Sequence, residues 1–409
     1  MKIRYFDNSA TTQIKEEVFK EMIPYLSVEY GNPSSIYTLG RNAKRAIEEA
    51  RRRVASLINC KPEEVYFTSC GSESDNTALK GIAYKNKEKG NHIITSKIEH
   101  PAILNSCENL ENKGFKVTYV DVNSNGIINL EKLKNSINNQ TILISIMFAN
   151  NEIGTIQPIE EIAQIAHKNN IIFHTDAVQA VGNIPIDVQK MDIDMLSLSG
   201  HKIYAPKGIG ALYVKKGIEL EKFIDGGHQE KNKRAGTENV AEIVGLGKAC
   251  QIAERSIKEY QNKLKTLRDY CLTCIKEKIP KIHVNGTMES RLPGNLNICI
   301  EGINSSELLF KLDSVGICAS GGSACSSGES SPSHVLTAIG VKQDLAKGAL
   351  RLTFGDFNTK EDVDYLVYQL EKIVWYVTKG CLFLQYINLL KNDILFYETI
   401  EKIKLLWYK

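Results

Sequence analysis

The 409-residue chain sets 51 basic against 48 acidic residues, a net charge of +3, with 43% apolar and 24% charged residues. That balance describes a folded chain with material for a large core and more than one domain. It excludes the concentrated basic tract of a nucleic-acid binder, so small-molecule chemistry fits better.

The chain opens on Met1-Lys2-Ile3-Arg4-Tyr5-Phe6-Asp7, where an acidic residue arrives before any apolar signal core could form. No apolar run reaches the length of a membrane span, so a cytoplasmic protein without a membrane partner is expected. Ten irregularly spaced cysteines read as reduced thiols rather than a disulfide framework.

From about Lys15 into the 250s, helical and strand signals alternate. A helix is predicted over Arg41 to Ile58, with Ala43, Ala46, Ile47, Ala50, Val54 and Leu57 on its apolar side. Its Lys44/Glu48, Arg45/Glu49 and Glu49/Arg53 spacings suit surface ion pairs. Strands are predicted at Val65 to Thr68, His92 to Thr95 and Thr141 to Ile146. The alternation is that of a mainly parallel sheet covered by helices, an α/β fold.

Between the first of these strands and the next helix lies Phe67-Thr68-Ser69-Cys70-Gly71-Ser72-Glu73-Ser74-Asp75-Asn76. This small-residue turn would present the Gly71 and Ser72 amides and the Ser72 hydroxyl to an anion, since helix N-termini favour negative charge. Simple helix capping by Ser72 reads equally well. His100, just before a predicted helix, could stack on a ring and move protons, although such a histidine is more often structural.

Two further strand-like segments end in polar loops: residues 171–176, closing on Asp176, and Met195 to Ser199, followed by Gly200-His201-Lys202. Both would deliver their last groups to one edge of the sheet, where ligands of open α/β folds collect. A lysine amine can condense with an aldehyde, and a carboxylate can keep a pyridine nitrogen protonated. Lys202 and Asp176 fit those two demands, with Ser199 and His201 as phosphate donors and Gln179 as partner to a ring hydroxyl. The combination reads as a pyridoxal 5'-phosphate (PLP) site.

A long helix from about Ala253 to Lys278 stops at Pro280, and a strand over Asn295 to Ile300 with later helices predicts a second, smaller α+β domain. The expected division is residues 15–257 for the large domain, residues 1–14 and 258–375 for the small one, and an atypical apolar tail over residues 376–409. The Cys271/Cys274 pair falls at helical spacing with Leu264, Leu267 and Ile275 and lacks a second ligand pair, so it reads as packing and no metal is assigned. Cys325 is different: Gly and Ser surround it in residues 319–332, which favours a functional thiol on a loop.

These motifs together resemble the NifS/IscS group of cysteine desulfurases, PLP enzymes of class V with the aspartate aminotransferase fold (fold type I). The match runs over most of residues 1–370. It rests on Asp7-Asn8-Ser9-Ala10-Thr11-Thr12, Ser74-Asp75-Asn76, Asn150-Asn151-Glu152-Ile153-Gly154, Ser199-Gly200-His201-Lys202, Arg234-Ala235-Gly236-Thr237 and Gly322-Ser323-Ala324-Cys325. The resemblance implies that Lys202 carries the cofactor and moves protons, that Asp176 and Gln179 hold its ring, and that His100 stacks above it. It implies phosphate binding by Ser72, Ser199 and His201, positioning by Asn151, and a substrate-carboxylate clamp at Arg351. Thr237 would reach the phosphate of a second subunit, which implies a homodimer.

The implied reaction converts L-cysteine to L-alanine and leaves a persulfide on Cys325, whose sulfur passes to an iron–sulfur scaffold or another acceptor protein. Pro332-Ser333-His334 downstream of Cys325 favours the long-loop class. Selenocysteine lyase, transamination, or a sulfur-relay protein that mainly binds partners are the alternatives. Cys70, Ser330-Ser331 and Asp356 depart from the family pattern. The tail is expected to be an extra helix on the small domain or a partner-binding helix; Lys391-Asn392-Asp393 argues against a membrane span.

Overall fold

A computed structural model describes residues 2–322 and 333–390. In chain order it begins with β1 (Arg4–Tyr5), α1 (Glu16–Ser27), α2 (Thr38–Ile58), β2 (Val65–Thr68), α3 (Gly71–Lys85), β3 (His92–Ser96), α4 (Pro101–Glu111) and β4 (Lys116–Val120). It continues through α5 (Leu130–Ser136), β5 (Thr141–Ser145), α6 (Ile159–Lys168), β6 (Ile172–Asp176), β7 (Met195–Ser199), β8 (Gly210–Val214), the short α7 (Gln229–Asn232) and α8 (Val240–Lys278). The last elements are β9 (Ile282–Val284), β10 (Asn295–Ile300), α9 (Ser305–Ser314), β11 (Ile317–Cys318), α10 (His334–Ala338), α11 (Gln343–Ala346), β12 (Ala349–Thr353) and α12 (Lys360–Leu390).

Seven strands form the main sheet in the order β2-β8-β7-β6-β5-β3-β4. β8 runs antiparallel to both neighbours and the others run parallel, so six strands finish at the same edge. Alternate residues go to opposite faces, as the pleat requires. Ile94, Ile144 and Leu196 pack with α2, α6 and the first half of α8. Ile93, Leu143 and Met195 pack with α3 and α4 on the other side. Both faces are covered, which is why these strands read as nearly continuous apolar runs.

A smaller antiparallel sheet, β12-β10-β9, packs with the second half of α8, α9 and α12, and β1 pairs with β11 beside it. Cys271 is buried in this core and Cys274 packs against it. α8 begins thirteen residues earlier than the periodicity predicts, and Gly245 and Gly247 explain why. A Cβ at Gly247 would stand 2.5 Å from the Ala50 Cα, and one at Gly245 would stand 2.7 Å from the Met22 sulfur. These poor helix formers are the close-contact points of α8 on α2 and α1.

α8 crosses the boundary expected near residue 258, with Ile243, Leu246 and Ala249 in one core and Leu264, Leu267 and Ile275 in the other. α12 likewise passes through the boundary expected at residue 375 and continues to Leu390. Among the described residues, no helix is long and apolar enough to cross a membrane.

Candidate active site

The shared strand edge gathers the predicted groups. β6 ends on Asp176, β7 ends on Ser199 and turns through Gly200–Lys202, and β2 leads into α3 at Gly71. Gly71, Ser72, His100, Asn151, Asp176, Gln179, Ser199, His201, Lys202 and Arg351 all line one cavity of about 220 Å³.

At its acidic end, Asp176 is buried and its Oδ1 accepts the Val178 N–H at 2.9 Å. Burial pushes its pKa up, while His100, the Val178 N–H and the Lys202 amine pull it back. A buried carboxylate calls for a cation, and a protonated pyridine nitrogen is one. Three buried titratable groups surround it that the motif reading gave no role. Asp75, 1% exposed, has its Oδ1 without a hydrogen-bond partner and 3.8 Å from His174 Nε2. Desolvation, then the neighbouring Asp176, raise the Asp75 pKa well above the usual range. Burial lowers His174 to about 3, so its ring is neutral between Ser145 Oγ (2.9 Å) and Ser197 Oγ (3.0 Å). Glu99 is pushed up to about 8 by burial, against the hydrogen bonds it accepts from Ser96 and Met147.

At the other end, α3 starts at Gly71 with Cys70, not Ser72, in the N-cap position. A Cβ on Gly71 would stand 2.7 Å from Val178 Cγ2, so the helix start is pressed against the turn after Asp176. The Ser199 hydroxyl is buried in the same wall and has no partner within the protein. His201 is lowered to about 4, mainly by burial and then by Lys202 and Lys207, and its Nδ1 lies 3.2 Å from Thr11 Oγ1. It therefore offers a neutral imidazole. An orphaned hydroxyl, helix-start amides and a wall without a Cβ fit a phosphate, and the buried acid fits the ring nitrogen.

The Lys202 amine donates to the carbonyls of Ser9 and, at 2.7 Å, Ala10. Gln179 Nε2 donates to the same Ser9 carbonyl at 3.1 Å. His100 caps α4: its Nδ1 accepts the Ala102 N–H at 3.1 Å, which leaves Nε2 as the protonated nitrogen. One edge of the His100 ring is thus structural, while the residue also lines the cavity. Arg351 is almost fully buried, held by Asp7 Oδ1 (2.7 Å) and the Asn151 carbonyl (3.2 Å), with Nε unpartnered.

Two predicted residues are not in this wall. Thr237 is exposed, on a segment tied to α3 by the Arg234–Glu73 ion pair at 2.8 Å. Cys325 lies outside the described residues. The described residues on either side of it are anchored near the cavity: Ser320 Oγ donates to Asp7 Oδ2 (2.7 Å), Ser333 Oγ to Glu152 Oε2 (2.5 Å), and His334 Nε2 meets the Glu99 carbonyl (3.0 Å).

The aminotransferase class-V family model matches residues 4–366. The chain belongs to that family of PLP-dependent enzymes, with a fold of PLP type I. A curated "Cysteine desulfurase IscS" of Methanosarcina thermophila is 53% identical over 370 residues, covering 90% of this chain and 91% of that protein. One from Clostridium botulinum (strain Hall) is 52% identical over 372 residues, covering 90% and 94%. Among solved structures, a "NifS-like protein" superposes with a TM-score of 0.87 at 39% identity, covering 92% of this chain and all of that one. Within class V the chain therefore stands with the cysteine desulfurases of the NifS/IscS class.

Proposed function

We propose that this enzyme removes sulfur from L-cysteine, leaving L-alanine, and hands the sulfur as a Cys325 persulfide to an acceptor protein. The carrying observation is the single cavity that joins the Lys202 amine, the buried Asp176 and an orphaned phosphate-type donor, in a chain half identical to curated cysteine desulfurases. When bound, PLP supplies an electron sink for charge developed at the substrate Cα. Asp176 would keep the ring nitrogen protonated, Gln179 and His100 would hold the ring, and Gly71, Ser72, Ser199 and His201 would hold the phosphate.

Arg351 binds the substrate carboxylate beside Asn151, its guanidinium plane fixed by Asp7. The Lys202 amine takes the Cα proton. The Cys325 thiolate then attacks the substrate sulfur: an S–S bond forms, the C–S pair stays with Cβ, and protonation at Cβ followed by return of a proton to Cα completes alanine. Thr237 contributes from the second subunit of a homodimer. An iron–sulfur scaffold or a thiolation protein is the acceptor, and a cytoplasmic setting keeps the thiols reduced.

The test uses the purified holoenzyme with L-cysteine and a thiol reductant. Alanine and sulfide should appear in equal amounts, Lys202→Ala should abolish both, and Cys325→Ser should stop sulfide while retaining PLP. Sulfide release by Cys325→Ser at the wild-type rate would sink the persulfide assignment.

A further inference from the structure

Eight cysteines have described side chains, none of them in a disulfide. Cys107, Cys250, Cys271 and Cys299 are buried, and burial pushes both Cys107 and the half-buried Cys60 up to about 12. Such thiols are poor nucleophiles at neutral pH. Cys70 differs by its place. It is half-buried, caps α3, and lines the cavity beside Gly71 and Ser72, its Sγ 3.7 Å from Ser69 Oγ. The same wall holds the buried, unpartnered Ser199 hydroxyl, which marks where an anionic ligand sits. Cys70, Gly71, Ser72 and Ser199 all line the same cavity of about 220 Å³. A substituent on the Cys70 sulfur and a phosphate on the helix start would therefore compete for one space.

We propose that Cys70 is a thiol-modification site, open to small disulfides, whose modification and occupation by the cofactor phosphate exclude one another. This rests on the PLP reading above. In the step itself, the Cys70 thiol loses its proton to solvent and attacks one sulfur of the disulfide. One S–S bond breaks, a mixed disulfide forms, and one small thiolate leaves, so no further oxidant is required. Dithiothreitol reverses it. The consequence is a cofactor site that fails to load under disulfide stress and recovers on reduction, a property separate from the chemistry of Cys325.

The experiment treats the full-length protein with 2,2'-dipyridyl disulfide, before and after PLP loading, and follows Cys70 by peptide mass spectrometry. PLP uptake, read from its absorbance rather than turnover, is measured in parallel. PLP at ten times its dissociation constant should slow Cys70 modification about tenfold, and inorganic phosphate should also protect. Protein modified at Cys70 should take up PLP at least about tenfold more weakly, recovering with dithiothreitol. Cys70→Ser, referred to its own untreated affinity, should lose this sensitivity, whereas Cys325→Ser should keep it. Equal modification with and without PLP, unimpaired uptake by the modified protein, or sensitivity persisting in Cys70→Ser would each overturn the proposal. Failure of the untreated wild type to take up PLP would instead remove the cofactor reading beneath it.

Discussion

Glu230→Ala is expected to be among the most destabilising single changes outside the cavity. Arg51 and Glu230 form a two-pronged ion pair at 2.7 and 2.8 Å, each side chain only 3% exposed. Glu230 also accepts the Phe67 N–H at 2.9 Å, and Arg51 donates to the Val65 carbonyl at 2.8 Å. The pair thus clamps β2, the strand that runs into the phosphate wall. It also anchors a turn in which Glu230, Lys231 and Asn232 have φ of 45°, 55° and 66°, a left-handed run that non-glycine residues resist. Removing the carboxylate leaves the buried guanidinium only the half-exposed Glu48 at 3.2 Å and the Val65 carbonyl, which costs about 3 kcal/mol, the lower end for breaking a buried pair. The double change Arg51→Met with Glu230→Leu removes the charge and leaves the buried Phe67 N–H and Val65 carbonyl without partners, roughly 1 kcal/mol or somewhat more each, besides the half-exposed Glu48, which water can serve. Urea unfolding at saturating PLP, followed by far-ultraviolet circular dichroism, should therefore rank the double variant as more stable than Glu230→Ala. A single-variant cost under about 1 kcal/mol, or a double variant at the sum of both singles, would refute the reasoning.

Two further expectations concern the cavity. Gly71→Ala places a Cβ 2.7 Å from Val178 Cγ2; the strain of about 1–3 kcal/mol should weaken PLP binding about tenfold or more, measured by cofactor titration. Unchanged affinity would show that the wall yields. Glu99 ionises near 4.5 in the unfolded chain but keeps its proton to about 8 in the fold. The folded state binds the extra proton between those values, so this group's contribution to stability is full below about 4.5 and is lost as pH rises through about 8. Glu99→Gln should flatten that decline by up to a few kcal/mol, and parallel pH–stability curves for both proteins would contradict it.

Much of the site was legible because its residues sit at ends of periodic elements. The strands ending at Asp176 and Ser199, the turn at Gly71 and the His100 helix start announce themselves through local patterns, and sharing an edge follows from parallel pairing. Other features had no local signal. Arg51 sits in a charge-rich helix with no local sign of burial, yet it is buried because Glu230, 179 residues later, folds onto it. Asp75 belongs to a recognised motif and His174 looks like an ordinary polar residue, but neither shows burial until α3 and β6 bring them to 3.8 Å.

The sequence by itself determined the alternation of elements, the strand-end chemistry and the cofactor class, because backbone periodicity and turn composition act over a few residues. Only the tertiary structure decided which groups lose water together. It places Lys202 against Ser9 and Ala10, more than 190 positions away in the chain, and Asp7 against Arg351, 344 positions apart. Protonation state and orientation come from such distant contacts, since burial and neighbouring charge are properties of the packed chain and not of any segment.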